Sequence, residues 1–428
     1  MFSRSPGRLS LPKIALFAIG LTLPAACAAG PATSTASLGA RTPASAAPGS
    51  GLGTFGAPAT ASLPSSSDSG RAGAKAHASS STAAASAAPG TGAKPGSAGI
   101  SAAGSGPAAS GSAVVYGFSA AEVLYDTSAE QVQQLEAMKA TGVTSVRVDA
   151  DWSIGQPDNA TSYSWATLDQ LMASVQKVGL SADLIIDGCP PWAGVASAAG
   201  NQFAQPASSA AFASWAAAVA KRYAGKGAKY FEIWNEPNNP SFWEPSPNPA
   251  AYTADLEAAY AAIKAVDPSA VIISGGLAPE PDSATSIAPL TFLQDMYADG
   301  AQGSFDGVGF HPYSYPTDPD TAGAVNAWTE MSETSPSVRS IMAAHGDASK
   351  KVWITEFGAP TSGTTANVSE SGQTTELVQA ISQVKDLGWI GSFYLYTWED
   401  VTNEGFGLLT IDGVQKSAYS AVVAALAG

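Results

Sequence analysis

Two glutamates in this chain stand where side chains can do chemistry. Glu236 lies in Phe231-Glu232-Ile233-Trp234-Asn235-Glu236-Pro237-Asn238, and Glu356 lies in Trp353-Ile354-Thr355-Glu356-Phe357-Gly358. In each stretch a short apolar run gives way to polar residues and then to Pro or Gly, the pattern of a buried strand delivering side chains to its carboxyl end. Paired carboxyl groups suit the cleavage of a glycosidic bond. One protonates the leaving oxygen while the other attacks the anomeric carbon or activates water. Their surroundings must push their pKa values apart. Arg147, Asn235, His311 and Tyr313 stand at or beside other strand ends and can supply the hydrogen bonds that do so.

Such residues cooperate only if one scaffold gathers the strand ends. From Val114 onward, short apolar runs alternate eight times with helical stretches. The runs are 114–117, 144–148, 182–187, 230–235, 271–274, 307–311, 352–356 and 390–398. Thr127 and Glu130 form a capping box before a helix with Val132, Leu135 and Met138 on one face, stopped by Gly142. Further helices are expected around Trp165–Val175, closed by Gly179, and over 212–223, 250–266, 290–297, 325–344, 375–387 and 416–426. Eight strand–helix units in residues 113–428 fit an α/β fold of the (β/α)8 barrel type, whose site lies at the carboxyl ends of the strands. The competing doubly wound sheet would show a Gly-rich phosphate loop after its first strand, and Gly117-Phe118-Ser119-Ala120 is not one.

Not every polar residue on these strands is a reagent. Glu232 and Trp234 alternate with Glu236, which points them into the barrel and makes Glu232 a buried partner for a cation such as Arg147. Cys189 reads as an inert buried thiol and His345 as a surface residue near a helix C-terminus.

With these residues in view the chain resembles the clan A glycoside hydrolases. Trp234-Asn235-Glu236-Pro237 is similar to their acid/base strand and Thr355-Glu356-Phe357-Gly358 to their nucleophile strand. The order also matches, with Arg147 on the second strand, His311-x-Tyr313 on the sixth and Trp398 on the eighth. Phe242-Trp243 before Tyr252, and Phe406-Gly407-Leu408 before Asp412-Gly413, resemble family 39 and its cellulase-like bacterial relatives. The resemblance covers residues 113–428 and implies a retaining mechanism. Glu236 would be acid/base and Glu356 nucleophile, about 5–5.5 Å apart. Asn235 would hold the sugar 2-hydroxyl, Tyr313 would orient Glu356 with support from His311 and Arg147, and Trp398 would floor the sugar subsite. The mechanism needs no metal or organic cofactor. One departure is visible: many clan members carry a His at the end of the third strand, where this chain has Cys189-Pro190-Pro191-Trp192.

Composition narrows the partners. The chain has 428 residues with 20 Lys+Arg against 35 Asp+Glu, a net charge of −15, which argues against nucleic acid or an anionic lipid surface as partner. Two cysteines and three histidines leave little for a disulfide scaffold or a His-based metal centre. Asp68 is the lone acid of residues 1–112, so the negative charge belongs to residues 113–428. Arg4, Arg8 and Lys13 precede the apolar stretch Ile14 to Leu23 and the small residues through Gly30, the order of an export signal over 1–27. Cys27 is the acylation point if that signal is a lipoprotein signal, a membrane tether, and is removed if it is an ordinary one. Residues 28–112 are almost entirely Ala, Ser, Gly, Pro and Thr with one aromatic, Phe55, and are expected to be a disordered linker. The protein is expected to be exported, secreted or envelope-anchored, and monomeric.

The strand-end loops carry Trp152, Trp192, Phe203, Phe242, Trp243, Tyr313, Tyr315 and Phe406, aromatics able to stack on sugar rings, about half of them expected simply to cap the barrel. Past Arg147 these loops hold no Lys or Arg until Lys416, while acids are plentiful. A cleft without cations repels uronate-rich or sulfated polymers. The expected substrate is a neutral or amine-bearing polysaccharide or oligosaccharide. A non-catalytic glycan-binding barrel and a transglycosylase using the same carboxylates are the alternatives.

Overall fold

The computed structural model describes residues 113–428 apart from Asn403; the expected export signal over 1–27 and linker over 28–112 lie outside the described residues. Eight parallel strands close into a barrel in the order β1 to β8. They are β1 Val115–Ser119, β2 Ser145–Asp149, β3 Ser181–Ile186, β4 Ala228–Asn235, β5 Val271–Gly276, β6 Gly307–Phe310, β7 Lys351–Phe357 and β8 Ile390–Tyr396. Closure comes from β1 pairing with β8, Gly117 opposite Tyr394 and Ser119 opposite Tyr396. The (β/α)8 expectation holds.

Ten helices clothe the described barrel: α1 Ser128–Ala140, α2 Trp152–Gly155, α3 Ala166–Val178, α4 Ser209–Tyr223, α5 Pro249–Val266, α6 Pro289–Ala298, α7 Ala327–Glu330, α8 Val338–Ala344, α9 Glu370–Asp386 and α10 Ser417–Ala427. Local sequence sets their ends. Thr127 accepts from the Glu130 amide while the Glu130 carboxylate accepts from the Thr127 amide, the expected capping box. Gly179, at φ 77°, closes α3 in a left-handed turn that a side chain would strain. The single helix expected over 325–344 is instead two short ones. Pro336 cannot continue a helix, and Ser337 restarts one by capping α8. The short α2 is an addition to the expected helices; Asp151 caps it by accepting from the amides of Ser153 and Ile154.

The barrel interior is packed toward its amino-terminal end and polar at its carboxyl end. Trp353 lies flat across two glycines: a Cβ on Gly307 would stand 2.3 Å, and one on Gly391 2.6 Å, from its ring. Those glycines clear the space that an indole on β7 needs inside an eight-stranded barrel. Above that layer Arg147, Asp183 and Glu232 are buried on β2, β3 and β4. Asp149 and Asp187 follow Arg147 and Asp183 at even spacing, so the same interior face runs on into the floor of the mouth.

Candidate active site

Arg147 organises the mouth. Its Nε donates to Glu232 Oε2 at 2.6 Å, one terminal nitrogen donates to Glu356 Oε1 at 2.6 Å and Ser119 Oγ at 3.0 Å, and the other to Asn235 Oδ1 at 2.7 Å. The arginine is 2% exposed, and its fixed planar fork lets one cation hold four side chains at set angles. Glu232 is the buried partner expected of it. The same carboxylate accepts from the Gly276 amide at 2.8 Å and the Thr355 hydroxyl at 3.1 Å, so both its oxygens are satisfied away from water.

The second half of the site hangs on His311. Its Nδ1 is 2.9 Å from Glu236 Oε1 and its Nε2 is 3.1 Å from Thr355 Oγ1. Only glycine fits beneath this ring: a Cβ on Gly276 would lie 2.1 Å from His311 Nε2. Asn239 donates to Glu236 Oε2 at 2.8 Å, and Tyr313 donates to Glu356 Oε2 at 2.8 Å. Both oxygens of each glutamate are therefore held. One oxygen of Glu236, one ring nitrogen of His311 and one oxygen of Glu356 all lie within 4.8 Å of each other. That spacing could also seat a metal ion, but the three atoms are already committed to one another and to Arg147, Tyr313 and Asn239.

The two carboxyl groups live in different fields. Burial alone would push Glu356 up, but the charges of His311 and Arg147 and the hydrogen bonds from Tyr313 and Arg147 outweigh it and hold the carboxyl below its ordinary value. Glu236 has neither the guanidinium nor the phenol, only the imidazole and an amide.

Local backbone strain delivers the Glu236 side chain. Trp234 and Glu236 both have positive φ, 69° and 45°, a region costing of order 1–3 kcal/mol for such residues. The left-handed step breaks the period of two, so Asn235 reaches Arg147 and Glu236 reaches His311 from adjacent positions. It also corrects the expected direction of Trp234. Its ring does not enter the barrel but packs 5.9 Å from Phe212 of α4 and 5.0 Å from Trp243, with its Nε1 donating to the Phe242 carbonyl at 2.6 Å.

Trp398 needs a second correction. It is 3% exposed, edge-on to Phe118 at 5.1 Å and near Tyr419 at 6.1 Å, within the core rather than under a sugar. Tyr396, at the end of β8, is the ring that stands beside Tyr313. Its ring meets Tyr313 edge-on at 6.3 Å and Phe406 at 5.2 Å, and its hydroxyl donates to Glu404 at 3.1 Å. Tyr313, Tyr315 and Phe406 form a small apolar cluster around it. Trp192 stays half-exposed beside the mouth, its Nε1 donating to the Gln156 carbonyl at 2.8 Å and its ring edge-on to Trp152 at 5.4 Å. Of the other loop aromatics, Trp152 and Trp243 are core, whereas Phe203 and Phe242 pair edge-on at 5.1 Å and remain half-exposed. Asn239 and Tyr396 are site residues that sequence reasoning alone passes over. The signal for Asn239 is its place three residues after Glu236, one turn away.

The pair, its cation and its imidazole invite comparison with known proteins. A family model described as cellulase (glycosyl hydrolase family 5) matches residues 108–393. The chain belongs to that family. This family 5 chain is accordingly a clan A member, as its strand-end motifs implied. Its fold is similar to a family 39 glycoside hydrolase from Bacteroides cellulosilyticus WH2, with TM-score 0.57 and 20% identity over 73% of this chain and 63% of that one. It is likewise similar to the family 39 enzyme from Xanthomonas axonopodis pv. citri, with TM-score 0.55 and 19% identity over 72% and 65%. A family 5, subfamily 18 structure from Streptomyces cattleya in complex with GlcNAc matches with TM-score 0.54 and 16% identity over 74% and 80%. The family 39 resemblance read from sequence thus appears at the level of fold, and the chain spans less than two thirds of those two relatives. No curated protein matches the chain.

Cys189 is buried and free, and burial, with Asp255 and Asp151, pushes its thiol up to about 12, which leaves it unreactive. His345 is exposed at the C-terminus of α8, stacked on Tyr297 at 4.3 Å. Lys416, the cation of the last loop, is buried and held by Asp400 at 2.7 Å and the Gly405 carbonyl at 2.9 Å.

Proposed function

We propose that this protein is a retaining glycoside hydrolase acting on a neutral or amine-bearing extracellular polysaccharide or oligosaccharide. The observation that carries the reading is the short distance between two unequal carboxyls. Oxygens of Glu236 and Glu356 lie within 4.8 Å, in line with the ~5–5.5 Å of retaining enzymes and short of the ~6.5–9.5 Å that leaves room for an attacking water. Glu356, kept ionised by Arg147, His311 and Tyr313, attacks the anomeric carbon. Glu236 gives its proton to the departing oxygen, then takes one from the water that opens the glycosyl ester. Asn235, its carbonyl oxygen fixed by Arg147, turns its NH2 toward the sugar 2-hydroxyl. Tyr396 offers the ring beneath the sugar.

The substrate class rests on charge. Arg147 is occupied by its carboxylates and Lys416 by Asp400, so no cation is offered to an acidic sugar from the strand-end loops. Export on the signal in residues 1–27, with the linker as spacer and Cys27 as tether where it is acylated, belongs to the same proposal.

The test is hydrolysis of aryl β-glycosides and neutral polysaccharides, with the first-formed sugar followed by proton NMR. The β-anomer appearing first supports double displacement; the α-anomer appearing first rules it out. Saturable binding of a glycan with no turnover would favour a binding barrel.

A further inference from the structure

Three aspartates stand at the ends of β2 and β3, beside the catalytic machinery but outside it. Asp149 follows Arg147 by two residues on the interior face of β2, and its backbone pairs with Ile185 of β3. Asp187 follows Ile185 by two, on the interior face of β3. Asp151 sits between them: Trp152 donates its amide to the Asp187 carbonyl at 2.7 Å, and the Asp151 carboxylate lies against Gly188, where a Cβ would meet its Oδ1 at 2.1 Å. One oxygen of Asp151 is used in capping α2, through Ser153 and Ile154. Asp187 is 6% exposed, yet its side chain makes no hydrogen bond or ion pair among the described residues.

A carboxyl that faces two others and has no protein partner is open to a cation that would pair it. The nearest cation, Arg147, is already shared among Glu232, Glu356 and Asn235. The other titratable groups facing the cluster are acidic or phenolic. Asp149 feels Glu356, Asp187 feels Glu232, and Tyr125 on the preceding loop feels all three aspartates. Tyr125 is also 57% exposed, a bare ring beside the acids. An aromatic face flanked by unpaired carboxylates fits a sugar ring carrying an ammonium group.

We propose that Asp149, Asp151 and Asp187, with Tyr125 as an aromatic wall, form a subsite for a protonated amino sugar on the Glu356 side of the cleavage point. This rests on the glycosidase reading for which sugar unit lies there, and it narrows the substrate class to an amine-bearing glycan. The arriving ammonium does what a second arginine would do. The acids give up protons to solvent as it binds, because burial, mutual repulsion and Glu356 hold Asp149 up to about 6, and burial with Asp149 and Asp151 raises Asp187 as well.

The experiment is calorimetric titration of the full chain with a β-1,4-linked glucosamine tetramer, its N-acetylated counterpart and cellotetraose, in two buffers of different ionisation enthalpy. The expected result is binding of the glucosamine tetramer at least about tenfold tighter than either other oligomer, roughly one charge-assisted hydrogen bond's worth. It should come with net proton release and weaken with salt. Asp187→Asn, which removes charge without volume, should abolish both the preference and the proton release while leaving Tm unchanged or raised. Asp149→Asn serves as the second variant. Equal affinity for the three oligomers, no binding of the glucosamine tetramer, or an amine preference untouched by both variants would overturn the proposal. So would tight binding of calcium alone, lost in Asp187→Asn, without any amine preference. If aryl β-glycosides are turned over through Glu356 but the preference is missing, the subsite fails alone. If the preference is present and no glycan is cleaved, the glycosidase reading fails and the subsite stands.

Discussion

The guanidinium of Arg147 donates to Glu356 at 2.6 Å and, through Nε, to Glu232 at 2.6 Å, so one buried cation both lowers the proton affinity of Glu356 and pairs a second, structural carboxylate. Lysine cannot serve both. Arg147→Lys should lower kcat/KM by about a hundredfold or more, as loss of a preorganised donor does. It should also destabilise the fold by about 3 kcal/mol, because the buried Glu232 loses the two guanidinium hydrogen bonds that hold it. Steady-state kinetics and urea unfolding measure the two effects. Retention of activity with lost stability would separate the roles.

Glu236 should betray itself through leaving-group dependence. Asn239→Ala removes a group that holds its carboxyl, at 2.8 Å, and leaves Glu356 untouched. Proton donation matters most for poor leaving groups. Asn239→Ala should lose about tenfold or more in kcat/KM on unactivated glycosides and much less on 2,4-dinitrophenyl glycosides, where departure needs little help. Equal losses on both substrates would argue against Glu236 as the proton donor.

Stability should fall from mildly acidic to mildly basic pH. Burial, with Asp318 nearby, pushes Glu376 of α9 up to about 8, and burial pushes Asp255 of α5 up to about 7. Between an ordinary carboxylate value near ~4 and those raised values the native state holds more protons than the unfolded chain, so rising pH costs stability. Glu356 has the opposite sign. Its depressed value contributes stability above the ordinary carboxylate range and loses it as pH falls through the lower folded value. Tm should be higher at pH 5 than at pH 8, and Glu376→Gln should raise Tm at pH 8 by at least about 2 °C. Differential scanning fluorimetry across pH decides this. A flat profile would contradict it.

Trp398 and Tyr396 should divide stability from binding. Trp398→Ala empties a buried site against Phe118 and Tyr419 and should cost about 3–5 kcal/mol. Tyr396→Ala opens a half-buried position beside Tyr313 and should act mainly on KM and kcat. Unfolding midpoints and kinetics on the same aryl glycoside make the comparison.

The barrel and the carboxylate pair are legible in the sequence because each strand is a short apolar run ending in polar residues, and interior strands leave that mark without help from their neighbours. The Glu232–Arg147 pairing follows from alternation alone. Alternation misleads where the backbone leaves the β region: the left-handed step at Trp234 turns its indole toward α4 and lets Asn235 and Glu236 face the mouth together. At the end of β8 the ring beside Tyr313 belongs to Tyr396, two residues before the Trp that carried the resemblance. Asn239 is hidden because its role depends on the tight turn after Glu236, in which the Asn239 amide donates to the Glu236 carbonyl at 3.0 Å. Pro336 is a legible break in the helix expected over 325–344, and the structure obeys it.

Whether Glu356 attacks and Glu236 shuttles the proton is decided by azide rescue of Glu356→Ala and Glu236→Ala on an activated aryl β-glycoside, with the products resolved by NMR. Glu356→Ala should yield an α-glycosyl azide, because azide replaces the nucleophile. Glu236→Ala should yield a β-glycosyl azide, because azide intercepts the glycosyl ester. The opposite pairing, or wild-type-like turnover in Glu356→Ala without azide, would contradict the assignment.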